Sequence, residues 1–217
     1  MNRIFVCFSF MLLLSAIYSQ QRAIVLSHYL FPEFKEGVVL MKNGALRRAM
    51  LNYNSLSGEM VFVEKGKKLA IADEELPKID SIYIENRVFF LLNNKFVELL
   101  YKSDAELYAE YRCNVQSPGK PTAYGGTSRS TTSTSYGQLT YQNRIYELEL
   151  PDEFEVDPYI IYWLKKDGEL HRILNLRQLN RIYSDKRNLI RDYQKENNVV
   201  FKLPETVVRF IEFLEEN

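Results

Sequence analysis

The sequence predicts an α+β protein. It combines an N-terminal antiparallel β-rich meander (a sandwich or partly open barrel), a flexible Ser/Thr/Gly loop, a further β-hairpin and a C-terminal segment of two to three helices. Three observations predict this class. From Gly37 to about Val115, short runs rich in Val, Ile, Phe and Tyr recur at even spacing between turn residues, the pattern of strands joined by tight turns. Of the 21 residues 117–137, fourteen are Ser, Thr or Gly and none is acidic, so the stretch holds too little apolar surface to offset its ordering entropy. After Leu174 the apolar spacing changes to Leu176, Leu179, Ile182 and Tyr183, the period of a helix face.

Residues 1–20 read as a secretory leader. Arg3 and the amino terminus precede an apolar run from Ile4 to Ile17 interrupted by Ser9 and Ser15, and Gln20-Gln21-Arg22 follow; a positive start, an apolar core and a polar exit are the layout of an export signal. The run falls short of the roughly 20 residues of a membrane span. Cleavage after Ser19 or after Gln20 is consistent with the small residue at Ser19. The expected division is therefore 1–20 signal peptide, 21–116 antiparallel β domain, 117–137 loop or linker, and 138–217 hairpin plus helices. Removing Arg3 with the leader leaves 27 basic against 28 acidic residues, which offers no field for nucleic acid or anionic lipid. Cys113 is then the single cysteine, so no internal disulfide forms.

Each element follows from its residues. Strands over 37–42 and 45–53 flank Asn43-Gly44, a pair that accepts positive φ and predicts a two-residue hairpin turn. Ser57-Gly58 leads into a strand over 59–64, and Lys65-Gly66 into one over 67–71. After the charged loop 73–77 come strands over 79–84, 87–92 and 95–101, turned by Glu85-Asn86 and Asn93-Asn94. Ala105, Leu107, Ala109 and Tyr111 alternate with Glu106, Tyr108, Glu110 and Arg112, the period of a half-buried strand. Tyr146, Leu148 and Leu150 alternate with Glu147 and Glu149 and predict a strand over 144–150. Asp167-Gly168 turns a hairpin between 159–166 and 169–174. Asn175 caps the first helix, Ser184 or Asp185 the second, and Asn197-Asn198 ends it. An extended piece over 199–202 precedes Pro204, which suits the first turn of a last helix because it lacks an N–H. Val207, Phe210, Ile211 and Leu214 form that helix's buried stripe.

Leu51-Asn52-Tyr53-Asn54, Ser57-Gly58-Glu59-Met60 and Phe62, then Ala123-Tyr124-Gly125-Gly126-Thr127-Ser128, and the closing pattern from Leu179 through Asp185-Lys186, Ile190 and Asn197-Asn198 to Phe201 together resemble a family of exported Gram-negative cell-envelope proteins. The likeness covers nearly all of the chain after the leader, with an additional Gly between Tyr124 and Thr127. The family has no assigned activity. The resemblance therefore implies a periplasmic or outer-membrane-associated compartment and carries over no catalytic residue.

The sequence offers little to catalysis. Zinc needs His or Cys at short spacing, whereas His28, His171 and Cys113 lie far apart. Asp73-Glu74-Glu75 reads as a solvated loop. Asp152-Glu153-Glu155-Asp157 lacks the central Gly of a calcium loop. Ser117-Pro118-Gly119-Lys120 matches Ser-x-x-Lys in letters, but Pro-Gly prevents the helix that motif needs. The expectation is a non-catalytic protein without cofactor or metal, acting through contacts with an envelope protein; a carbohydrate- or cell-wall-binding module is the alternative, and a carboxylate-based hydrolase stands behind both. Tyr124, Tyr136 and Trp163 are the contacts a ligand or partner would meet.

Overall fold

The computed structural model describes residues 28–116, 120–121, 127–128 and 155–217. Its strands are β1 (Lys35–Met41), β2 (Leu46–Asn54), β3 (Glu59–Glu64), β4 (Lys67–Ala70), β5 (Ile79–Ile84), β6 (Arg87–Leu92), β7 (Lys95–Lys102), β8 (Glu106–Gln116), the two-residue β9 (Lys120–Pro121) and β10 (Thr127–Ser128), β11 (Glu155–Lys166) and β12 (Glu169–Ile173). Three helices follow: α1 (Leu176–Ile182), α2 (Arg187–Glu196) and α3 (Pro204–Glu216). Ten of the strands form one antiparallel sheet that is not closed, in the order β12-β11-β8-β7-β6-β5-β1-β2-β3-β4. The class is α+β, as the sequence predicts.

The order is two meanders joined at their first strands, because β5 pairs with β1 (Val39 opposite Ile82) rather than continuing from β4. The hairpin turns follow local chemistry. Lys65-Gly66, Asn93-Asn94 and Asp167-Gly168 all have positive φ at both positions, the form that matches strand twist. Asn43-Gly44 departs from the predicted two-residue turn. Gly44 alone is left-handed there, at φ +83°. The Met41 N–H bonds the Ala45 carbonyl at 2.8 Å, and the Asn43 side chain accepts the Ala45 N–H at 3.0 Å, so the loop takes three residues and a bulge.

The Asn-x-Asn pair of β2 organises the N-terminal segment. Asn52 is fully buried. Its amide donates to the carbonyls of Phe31 (2.9 Å) and Glu33 (3.2 Å) and accepts from the Phe31 N–H at 3.1 Å. Asn54 accepts the Leu56 N–H at 2.9 Å, which starts the turn that Gly58 completes at φ +75°. That turn reaches across to the other meander: the Cys113 N–H donates to the Ser55 carbonyl at 3.1 Å, and Lys95 donates to the Ser57 carbonyl at 2.9 Å.

One face of the sheet carries two cores side by side. Leu51, Tyr53, Met60, Ile82, Ile84, Phe89 and Phe96 form the first, plugged by Phe31. Leu107, Ala109, Tyr162, Leu164 and Ile173 form the second with Leu179, Tyr183, Ile190 and the stripe Val207, Phe210, Ile211 and Leu214. Tyr111 packs against both. The first helix is capped by Asn175 as predicted, its side chain accepting the Gln178 N–H at 3.2 Å. The second is not capped by Ser184 or Asp185. Those residues sit in a 3-10 turn, and α2 begins at Arg187 without a side-chain cap. Residues 144–150 lie outside the described residues.

Candidate functional site

A mostly apolar hollow lies against β1–β4. Its base is Val39, Met41, Leu51 and Ile79, all buried. Ala49, Phe62, Leu69 and Ile71 form its walls, and Arg47, Arg48, Glu64 and Glu75 stand around it; the volume is about 530 Å³. That volume falls within the range of small-molecule sites. The hollow exists because inward residues of four strands alternate with outward ones, while the 71–79 connection crosses back to start β5 beside β1.

Arg47 breaks the apolar register of β2. It pairs with Val39 on the inward face, on the same side as Ala49 and Leu51, yet is two-thirds exposed. Its nearest acid is Glu75, at 3.9 Å. Glu75 is engaged more closely by Lys78, at 2.6 Å, and that hydrogen bond, with the Lys78 charge, holds its carboxyl below the usual range. Arg48 meets Glu36 at 3.3 Å between exposed side chains.

Next to the hollow the sheet ends at β4, which among the described residues pairs with β3 alone. A two-residue turn makes Glu64 and Lys67 a hydrogen-bonded pair, and the alternation of an antiparallel ladder then points the N–H groups of Lys68 and Ala70 away from β3. The Ile71 N–H, donating to Met60 at 3.2 Å, keeps that alternation.

A second hollow, about 720 Å³, runs between the start of α3 (Pro204, Glu205, Val208, Arg209) and the strands, and Arg87, Glu98 and Tyr111 line it. Arg87 grips Glu98 through two bonds, 2.7 and 2.5 Å, and the Tyr111 hydroxyl donates to the same carboxylate at 2.5 Å. The guanidinium lies 5.0 Å from the Tyr111 ring centre and 5.1 Å from that of Phe31. Burial, then the Glu98 charge, pushes the Tyr111 hydroxyl far above its ordinary pKa. With its charge matched and its oxygens occupied, this group is a tie between the two cores rather than a free acid or base.

Trp163 sits on β11, half-buried, and its indole N–H donates to Glu110 at 2.9 Å. Tyr124 and Tyr136 lie outside the described residues, as do Ser117 and residues 152–154. Asp157 faces Lys202 at 3.3 Å. His28 is buried with its Nε2 unpartnered, and burial, then the Lys68 charge, lowers its pKa to about 4. His171 lies on β12, 3.7 Å from Glu169. Cys113 is buried, and burial pushes its thiol up to about 11, where it is a weak nucleophile. Among the described residues no three His, Cys, Asp or Glu side chains gather to hold a metal, and no helix is long and apolar enough to cross a membrane.

Sequence reasoning misses the hollow and the β4 edge, since both depend on which strands become neighbours. The one local signal is Arg47, a charge in an inward register. Comparison with known protein families, with curated proteins and with solved structures finds no match.

Proposed function

We propose that this chain is an exported, non-catalytic protein of the Gram-negative cell envelope, periplasmic or associated with the outer membrane, that works by holding a partner protein along the free edge of β4. The observation that carries the reading is that edge. Among the described residues no strand pairs with the outward N–H groups of Lys68 and Ala70 at the end of the ten-stranded sheet, and such an edge takes up an extended segment by completing the ladder. The leader layout of residues 1–20 and the family likeness support the compartment. The curl that carries the β2–β3 turn to β8 favours a partly open barrel for the N-terminal strands, and Tyr124 and Tyr136 supply further contacts from the Ser/Thr/Gly tract.

The glycan alternative asks for a row of exposed tyrosines. Among the described residues Tyr83 is the one in that class, 44% exposed, while Tyr53, Tyr162 and Tyr183 are fully buried. The hydrolase reading asks for two free acids across a cleft, and of Glu64 and Glu75 beside the hollow, Glu75 is held by Lys78.

The test is native co-purification from envelope fractions with the wild type and with Ala70→Pro, which deletes an outward N–H and leaves the β3–β4 bonds in place. The reading expects a reproducible partner with the wild type that is lost with the variant. No reproducible partner, or equal recovery with both, overturns it.

A further inference from the structure

We infer that the hollow under β1–β4 is a binding site for a long-chain carboxylate, a fatty acid, with its hydrocarbon tail against Leu51, Phe62 and Leu69 and its head group on Arg47. The inference does not depend on the β4-edge partner. It stands on three observations about one place. The interior presents hydrocarbon: its base is Val39, Met41, Leu51 and Ile79, and its walls are Ala49, Phe62, Leu69 and Ile71. An occupant with hydrogen-bonding groups along its body would leave them unpaired there, at a cost of about 1–3 kcal/mol for each group. The body of the occupant is therefore apolar, a condition that an alkyl chain meets.

The charge is confined to the rim. Arg47 projects from the inward face of β2, and its fork of donors matches a carboxylate in two parallel bonds. That fork is free to engage one. Its nearest acid stands 3.9 Å away, beyond hydrogen-bonding distance, and is already bonded to Lys78 at 2.6 Å. Arg48, the next residue of β2, takes the opposite face of the sheet and meets Glu36 there at 3.3 Å, so Arg47 is the cation that the head group meets. Glu64 and Glu75 set the limit on this field: the site takes one negative head group, and the head group is carried by the guanidinium fork rather than by a broad cationic surface.

The volume is the third observation. About 530 Å³ of half-open groove accommodates a single alkyl tail and lies within the volume range of small-ligand sites. Its two ends differ as an amphiphile's do, buried apolar residues at the base and exposed charged residues at the rim.

The experiment titrates the purified chain with palmitate and with hexadecanol by isothermal calorimetry. The wild type binds palmitate in a one-to-one complex. Arg47→Ala weakens palmitate about tenfold, the loss of one charged contact, and leaves hexadecanol unchanged. Ala49→Trp fills the hollow and abolishes binding of both. Ala72→Trp, in the connection that lines the hollow, does the same if Ala49→Trp does not fold by circular dichroism. Absence of palmitate binding to the wild type overturns the inference. So does equal binding by the folded tryptophan variant, or an equal effect of Arg47→Ala on palmitate and hexadecanol.

Discussion

His28 is the residue whose chemistry is least comfortable with its place. Its ring lies 4.4 Å from that of Tyr29, 2% of its surface is exposed, and Nε2 has no partner. Folding holds it neutral, with a pKa of about 4 in place of 6.5. Between those values the unfolded chain binds the proton and the folded chain does not, so stability rises with pH across this window and is lost as pH falls from 6.5 toward 4. His28→Leu removes that dependence. Thermal unfolding at pH 7 and pH 5 then shows a loss smaller than in the wild type by about 1–2 kcal/mol. An unchanged pH dependence places the titration elsewhere. Glu106 acts in a separate, lower window: hydrogen bonds from Tyr108, Lys165 and Lys102 hold its pKa at about 2, so its contribution fades as pH falls below the ordinary carboxylate range.

At the scale of elements, the β2–β3 turn does more than reverse the chain. Gly58 is left-handed at φ +75°, and a Cβ there would stand 2.8 Å from an Arg112 guanidinium nitrogen. Gly58→Ala therefore costs about 1–2 kcal/mol from the backbone alone and displaces the Arg112 guanidinium, which donates to the Ser57 carbonyl at 3.4 Å and helps hold the turn to β8. Hydrogen exchange reads this as faster exchange of the Cys113 amide, which donates to Ser55; unchanged exchange contradicts the role given to the turn. These elements were unequally legible in the sequence. Strands Glu59–Glu64, Ile79–Ile84 and Arg87–Leu92 have the bounds that alternation and turn residues predict, because a hairpin is a local event. The stripe of α3 was equally readable, since four residues at helical spacing are the buried ones. The adjacency of β1 and β5 was not, because period two tells which face a residue takes and nothing about which strand lies beside it. The hollow and the free edge of β4 follow from that adjacency. Capping of α2 failed for a different reason: Ser184 and Asp185 lie in a 3-10 turn that follows Tyr183, which is packed in the core, and the helix begins after it.

For the whole molecule the issue is how two cores on one face behave as a unit. Arg87, Glu98 and Tyr111 sit where they meet, and Tyr111 belongs to both. Arg87→Met leaves the Glu98 carboxylate buried without its cation and costs about 3–5 kcal/mol. Arg87→Met with Glu98→Leu recovers part of that loss, since no lone charge stays buried, while the Tyr111 hydroxyl gives up its acceptor. Chemical denaturation of the two variants measures it, and an equal loss in both shows that the charges stabilise the seam on their own account. Lys166, Tyr183 and Glu215 tie the helices to β11 similarly, with the Tyr183 hydroxyl donating to Glu215 at 2.5 Å and Lys166 at 3.0 Å from the same oxygen. A sheet braced at these points ends at β12 on one side and at β4 on the other, and the proposal puts the partner at β4. The most direct measurement is site-specific photo-crosslinking in intact cells from a reactive residue placed at Lys68. The account predicts one discrete adduct with an envelope protein, absent when the reactive residue is moved to Leu174 at the opposite end of the sheet; no adduct at Lys68, or the same adduct from both positions, contradicts it.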